Sequence, residues 1–271
     1  TKNSLKNKEK RLDLIGRYNM SYFMYHNKKI FFKEYGTGMP LLLLHGNSLS
    51  SKMFLPIIDD LQKYAKVILI DFLGNGCSDR ILEVPDNLWY DEALQTISLI
   101  DYLGYSQVNL LGSSGGALVA LNVALERPEL IGKIIADSFE GEEPLDSFVK
   151  NIYQDRQSSK ENQWLRNFYK QNHGEDWEHV VDNDTFAIYK HYQNHKTFFQ
   201  KKLCNLKNHV LLTGSKEDEF MSGDFFERIY NQIPIQNKTI CVFEHGGHPA
   251  MISNKAIFIP MVINFLEDMK K

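Results

Sequence analysis

This sequence predicts an α/β fold: a mostly parallel central sheet with helices on both faces and a helical cap. Three observations predict it. Short, uninterrupted apolar segments recur, such as PLLLLHG from Pro40, KVILIDF from Lys66 and HVLLTG from His209, and strands that read this way are buried on both faces. Between them lie longer stretches with apolar residues at helical spacing, and strands alternating with helices imply parallel crossovers. Finally, roughly seventy residues separate KIIAD, which ends at Asp137, from HVLLTG, far beyond an ordinary loop.

Taken in order, MSYFMYH and KIFFKEYG flank NKK and form an opening hairpin. PLLLLHG is the first buried strand, SKMFLPIIDDLQKY a helix, and KVILIDF the next strand. LWYDEALQTISLIDYLG places Leu88, Ala93, Ile97, Ile100 and Leu103 at helical spacing and stops at Gly104, a helix-ending residue. QVNLLG is a strand that runs directly into an apolar helix, GALVALNVALE, which Pro128 terminates; KIIAD follows as a strand. The long segment after it is rich in aromatics, among them Phe148, Trp164, Phe168, Trp177, Tyr192 and Phe198, with Trp164 and Phe168 one helical turn apart. It reads as a helical cap inserted over 139–206, most of its aromatics gluing it to the core and a few lining a pocket. HVLLTG, KTICVFE and the final helix KAIFIPMVINFLEDMKK complete a core that comprises 20–138 and 207–271. Residues 1–19 read as an N-terminal arm or a cloning remnant.

With 43% hydrophobic and 24% charged residues, the chain has the balance of an ordinary globular protein. Its formal net charge of −3, with both signs scattered, leaves no footprint for nucleic acid. Its apolar runs fall far short of the ~20 residues of a membrane span, so no stable membrane insertion is expected. The basic start TKNSLKNKEKRLDLIGRYNM has no apolar stretch behind it and does not read as a signal peptide. Cys77, Cys204 and Cys241 are odd in number, widely spaced and without zinc spacing, which points to a reducing, cytoplasmic compartment. The expected partner is a small-molecule substrate, with no cofactor and no metal.

The chemistry is written at the junction VNLLGSSGGALVALNVALE, residues 108–126. Gly112-Ser113-Ser114-Gly115-Gly116 fits G-x-S-x-G, in which a strand turns sharply into a helix and holds the central serine in a strained conformation. Residues two positions away must then be small, which accounts for Gly112 and Gly116. The amides of the helix start point at the same spot. Serine is a weak nucleophile at neutral pH and needs a base and an orienting acid. GGHPAMIS supplies His248 as the base. VLLTGSKEDEF supplies Asp218 as the acid, with Asp137 and nearby Glu140, after the KIIAD strand, as the alternative position. In LLLLHGNS, the backbone of Asn47 can join that of Gly115 as donors to an oxyanion.

From about Met20 onward the sequence resembles the α/β-hydrolase superfamily. The resemblance rests on HGN at 45–47, DFLGNGCSD at 71–79, GSSGG at 112–116, GSKEDEF at 214–220 and GGHPAMIS at 246–253. It implies Ser114 as nucleophile, Asp218 as acid, His248 as base, and Asn47 with Gly115 as oxyanion donors. The insert sits where capped members carry their lid. Glu217 and Glu219 flank Asp218 and compete with it as readings of the acid.

Other residues take structural readings. GNGCSD is a turn, since no dinucleotide unit follows. His45 is structural, and Cys77 lacks the tight elbow of Ser114. His191 and His195 stand i, i+4 without a ligand-rich partner motif, and His173 and His179 are expected on the surface. Haloalkane dehalogenases and epoxide hydrolases of the superfamily use aspartate at the elbow, so serine favours acyl chemistry on a small ester, thioester or amide through an acyl-enzyme. A C–C bond hydrolase or an acyltransferase on the same triad, and a weakly catalytic ligand-binding receptor, are the alternatives.

Overall fold

The computed structural model describes residues 20–221, 225–234, 236 and 238–268. The expected arm over 1–19 lies outside them. Its frame is β1 (Ser21–Tyr25), β2 (Lys28–Tyr35), β3 (Pro40–Leu44), β4 (Lys66–Asp71), β5 (Val108–Ser113), β6 (Ile131–Asp137), β7 (His209–Ser215) and β8 (Lys238–Phe243). They form one eight-stranded sheet in the order β1-β2-β4-β3-β5-β6-β7-β8. Pairing is antiparallel at β1–β2 and β2–β4 and parallel from β4 to β8. The opening hairpin turns on His26 and Asn27, both at positive φ (46° and 61°), as a two-residue hairpin requires.

The uninterrupted apolar strands are explained by the two layers that cover the sheet. Leu42 and Leu44 of β3 join Ile70, Leu110 and Leu212 in one core, against α2 (Leu88–Leu103) and α3 (Gly115–Glu126). Leu41 and Leu43 join Leu69, Leu111 and Leu211 in the other, against α1 (Leu55–Leu61) and the carboxyl-terminal helix α9 (Lys255–Glu267). Each strand face is therefore a core face, which is what removes the polar alternation. Helix α3 is buried from Gly115 through Leu125, so it has almost no polar residue. Its Asn122 donates from Nδ2 to Leu118 O (3.0 Å) and to Phe198 O (3.0 Å). Gly104 ends α2 at φ 72°, a left-handed cap that glycine adopts without steric cost.

Between β6 and β7 run α4 (Asp146–Glu161), α5 (Gln163–His173) and α6 (Trp177–Asn194). Asn162 caps α5 by accepting from the amides of Trp164 (2.9 Å) and Leu165 (3.1 Å). Trp164 and Phe168 stack, as their spacing suggests, but Trp164 is exposed; Tyr169, Trp177 and Val181 form the insert's own small core. Two further helices, α7 (Phe225–Gln232) and the single-turn α8 (Ala250–Ser253), precede α9; α7 carries no mark that the sequence reading found. Among the described residues no helix is long and apolar enough to cross a membrane.

The insert is tied to the loops after β3 and β4 by polar contacts. Asn172 Oδ1 accepts from Ser50 N (3.1 Å) and Oγ (2.7 Å), and Ser48 Oγ donates to Asp184 Oδ2 at 2.5 Å. Arg80 pairs with Asp176 at 2.7 Å and donates to His173 O at 2.8 Å. His173 itself is not a surface residue, contrary to the expectation. It is buried, its Nδ1 accepts from Gly76 N (3.1 Å), and its Nε2 faces Ser48 O at 2.9 Å. Two core loops close over the end of α5, and burial pulls the imidazole down to about 4. His179 is exposed, as expected.

Candidate active site

The carboxyl ends of β3, β5, β7 and β8 bring the sequence-marked residues to one edge of the sheet, where open α/β sheets place their ligands. Ser114 sits between β5 and α3 at φ 55°, ψ −126°. Positive φ at a non-glycine residue costs about 1–3 kcal/mol and persists only where the surroundings enforce it. They do so here by crowding. A Cβ on Gly112 would lie 2.0 Å from Gly116 O, and one on Gly116 would lie 1.9 Å from Leu44 O, both backbone atoms that cannot swing aside. The glycine frame is thus a steric requirement of the turn. Ser114 is half-buried, while Ser113 is fully buried and its Oγ donates to Asp137 Oδ2 at 3.2 Å. Of the two serines, only Ser114 reaches open space.

Asp218 follows β7 in a tight turn, its side chain fully buried. Its Oδ2 lies 2.8 Å from His248 Nδ1, and its Oδ1 accepts from Phe220 N at 3.0 Å. A carboxylate that accepts from Nδ1–H leaves the lone pair on Nε2. The flanking glutamates are otherwise engaged. Glu217 pairs with His245 (2.9 Å), and Glu219 accepts from the backbone of His248 (2.9 Å). Phe220 packs edge-on against the His248 ring at 5.1 Å.

Asp137, the alternative acid position, is occupied differently. It accepts from Thr213 Oγ1 (2.7 Å), Met251 N (3.1 Å) and Ser113 Oγ, while its carbonyl accepts from Ser114 N (2.8 Å). Burial pushes its carboxyl up to about 6 in spite of those donors. Glu140 is also buried, and burial raises it to about 7. Its Oε2 accepts from Leu145 N at 3.1 Å, at the start of the insert.

Asn47 and Gly115 lie against each other, since a Cβ on Gly115 would meet Asn47 Oδ1 at 1.9 Å. That oxygen accepts from Trp89 Nε1 at 3.0 Å. Sequence reasoning missed Trp89 because a tryptophan on an apolar helix face reads as core, and its partner is 42 residues away. Phe220 and Glu219 were missed as neighbours of His248 for the same reason: the contact crosses two separate loops.

The other histidines are engaged as follows. His45 Nε2 accepts from Phe72 N (3.1 Å), so its proton is on Nδ1, facing Gly46 O at 2.9 Å. Burial pushes this imidazole down, towards the neutral form. His191 Nε2 faces Thr197 O (3.1 Å), and His195 Nε2 pairs with Asp86 at 2.9 Å. Among the described residues, no group of three or more His, Cys, Asp or Glu is arranged to hold a metal ion. The Cys77 thiol is half-buried and pushed up by burial and by Asp71, the reverse of an activated nucleophile.

Between α2, α4 and α6, Trp89, Phe148, His191 and Phe198 border a packing gap with no room for a water molecule. Phe148 packs against Phe220 at 6.1 Å, and Phe220 packs against His248, so these aromatic rings back the site.

A family model described as alpha/beta hydrolase fold matches residues 39–197. The chain is 31% identical to the (E)-2-((N-methylformamido)methylene)succinate hydrolase of Acinetobacter baylyi over 109 residues, 40% of this chain and 41% of that protein. It is 31% identical to haloalkane dehalogenase 2 of Mycobacterium tuberculosis over 110 residues, 40% of this chain and 37% of that protein. The chain thus spans about two fifths of the length of these curated relatives. Among solved structures, a meta-cleavage product hydrolase from Pseudomonas fluorescens is similar at a TM-score of 0.72 and 17% identity, over 92% of this chain and 98% of that one.

Proposed function

Because the chain belongs to the alpha/beta hydrolase fold family and carries serine at its strained elbow, we propose that it is a serine hydrolase acting on a small ester, thioester or amide. The observation that carries this reading is the 2.8 Å contact between Asp218 and His248 Nδ1 on the sheet edge that also presents Ser114. Asp218 orients the ring, and the free Nε2 of His248 takes the Ser114 proton as Oγ attacks the acyl carbon. The tetrahedral oxyanion is received by the amides of Asn47 and Gly115. His248 then returns the proton to the leaving group, an acyl-enzyme forms on Ser114, and water releases it by the same steps. The helices over 139–206 act as the cap of a core made of 20–138 and 207–271. Three free cysteines suit a cytoplasmic setting.

The test is a panel of esters, thioesters and amides, with fluorophosphonate labelling, on wild type and Ser114→Ala. Labelling and turnover that both vanish in the variant support the reading. Cleavage of a vinylogous diketone with none of the acyl substrates would move it to C–C hydrolysis, and transfer to an added alcohol in preference to water would move it to acyl transfer. An unlabelled, inactive wild type that binds ligand would make it a receptor.

A further inference from the structure

The turn that carries Asn47 is held in shape from the insert. Leu49 N donates to Gly46 O at 3.3 Å and closes a turn over 46–49. Ser48, at its third position, has φ 56°, a conformation that turns ordinarily assign to glycine or asparagine. A serine there is strained, and such a residue persists only where its surroundings enforce it. The enforcing contact comes from a residue 136 positions away: the buried Ser48 hydroxyl donates to Asp184 Oδ2 of α6 at 2.5 Å. His173 faces the Ser48 carbonyl and Asn172 holds Ser50, but neither bonds the Ser48 side chain.

Asp184 is itself fixed. Arg156 of α4 lies 3.8 Å from the same carboxylate oxygen and donates to the Tyr169 hydroxyl of α5 at 2.8 Å. The Asp184 side chain is only 8% exposed, so salt screens this pairing little. All three helices of the insert therefore converge on one hydroxyl of the loop after β3. That loop in turn lies against the elbow: a Cβ on Gly46 would stand 3.1 Å from Ser114 Cβ and 3.7 Å from its Oγ. A rotation at Ser48 moves the adjoining Asn47 peptide, close to an atom for which a misplacement of about 1 Å is enough to impair catalysis.

We infer that Asp184 is a positioning residue for the oxyanion donor: through Ser48 it sets the turn that presents the Asn47 amide to Ser114. The inference rests on the serine-hydrolase reading for what that amide receives, but not for how the turn is held. It makes the insert a part of the reacting arrangement as well as a cover. A donor to the oxyanion acts in the transition state, so its displacement lowers kcat and leaves KM unchanged. Removing such a donor costs about 10²–10³ in kcat, and shifting it is expected to cost about tenfold.

The experiment compares wild type with Asp184→Ala, Asp184→Asn, Ser48→Ala and the double variant Ser48→Ala/Asp184→Ala. It measures kcat and KM on an ester that wild type hydrolyses, and amide hydrogen exchange over 44–54 by mass spectrometry. Asp176→Ala, which breaks the Arg80 ion pair between insert and core away from the turn, is the control. Asp184→Ala is expected to lose about tenfold in kcat at unchanged KM, with faster exchange over 44–54. Asp184→Asn, whose amide oxygen still accepts, recovers most of both. Ser48→Ala shows the same loss, and the double variant no more than either, since one bond is removed twice. Asp176→Ala matches wild type. If wild type neither turns over nor is labelled by fluorophosphonate, the hydrolase reading falls, and exchange alone decides the inference. In an active enzyme, unchanged kcat in folded Asp184→Ala and Ser48→Ala overturns it. Unchanged exchange in those variants, losses that multiply in the double variant, no recovery in Asp184→Asn, or the same effects from Asp176→Ala also overturn it.

Discussion

At the scale of the residue, adjacent serines have opposite fates. Ser113 spends its hydroxyl on Asp137, and Ser114 is turned outward at positive φ. Ser114→Ala is expected to keep the fold and lose fluorophosphonate labelling, whereas Ser113→Ala keeps the label; mass spectrometry of the labelled peptide decides it, and the reverse pattern would move the elbow by one residue. The two aspartates divide in the same way. Asp218→Asn keeps the shape but favours the wrong imidazole tautomer, a change worth about 10⁴-fold in kcat in the well-studied serine protease, and a loss of that order is expected with Tm little altered. Asp137→Ala instead strips a carboxylate that accepts from Thr213, Met251 and Ser113. Leaving those donors unpaired is expected to cost about 3 kcal/mol or more, read as a fall in Tm by calorimetry. Sequence placed both carboxylates at strand ends on the same edge. What it lacked was the donor count, since the donors arrive from β5, β7 and α8.

At the scale of the element, strands and most helices were legible because their periodicity is local. The burial of His173 was not. A histidine in the last turn of a helix ordinarily faces solvent and the helix's negative end, and the atoms that cover it lie 97 and 125 residues away. Its burial has a consequence for pH. The folded protein holds this imidazole at about 4, while an unfolded chain protonates it near 6.5. Between those values the unfolded chain binds more protons, so the contribution to stability is whole above pH 6.5 and is lost as pH falls towards 4. Tm measured against pH for wild type and His173→Asn is expected to show a gap that is widest at pH 7 and narrows on acidification. His191, Asp137 and Glu140 also titrate at shifted values, but they are common to both proteins and cancel. A gap independent of pH would mean that the buried ring contributes shape alone.

At the scale of the whole molecule, layer order and the edge that carries the site follow from the alternation of buried strands and helices. The sequence marked the residues that end strands and missed those that meet between the insert and the core, because Trp89, Phe148, Phe220 and His191 belong to three helices and a loop, and no spacing encodes their convergence. Asp137 has one more implication at this scale. Its carbonyl holds the amide of Ser114, and its carboxylate holds the amide of Met251, three residues beyond His248. Ser114 and the segment after His248, the proposed nucleophile and base, are therefore tied to a single mount at the end of β6. A shift at the end of β6 is then expected to carry Ser114 and the His248–Met251 segment together. Loss of reactive alignment should then coincide with rupture of the mount. On slow heating, residual turnover and near-ultraviolet circular dichroism are expected to trace one superimposable transition; inactivation many degrees below unfolding would show that the anchor is not shared in the way its hydrogen bonds suggest.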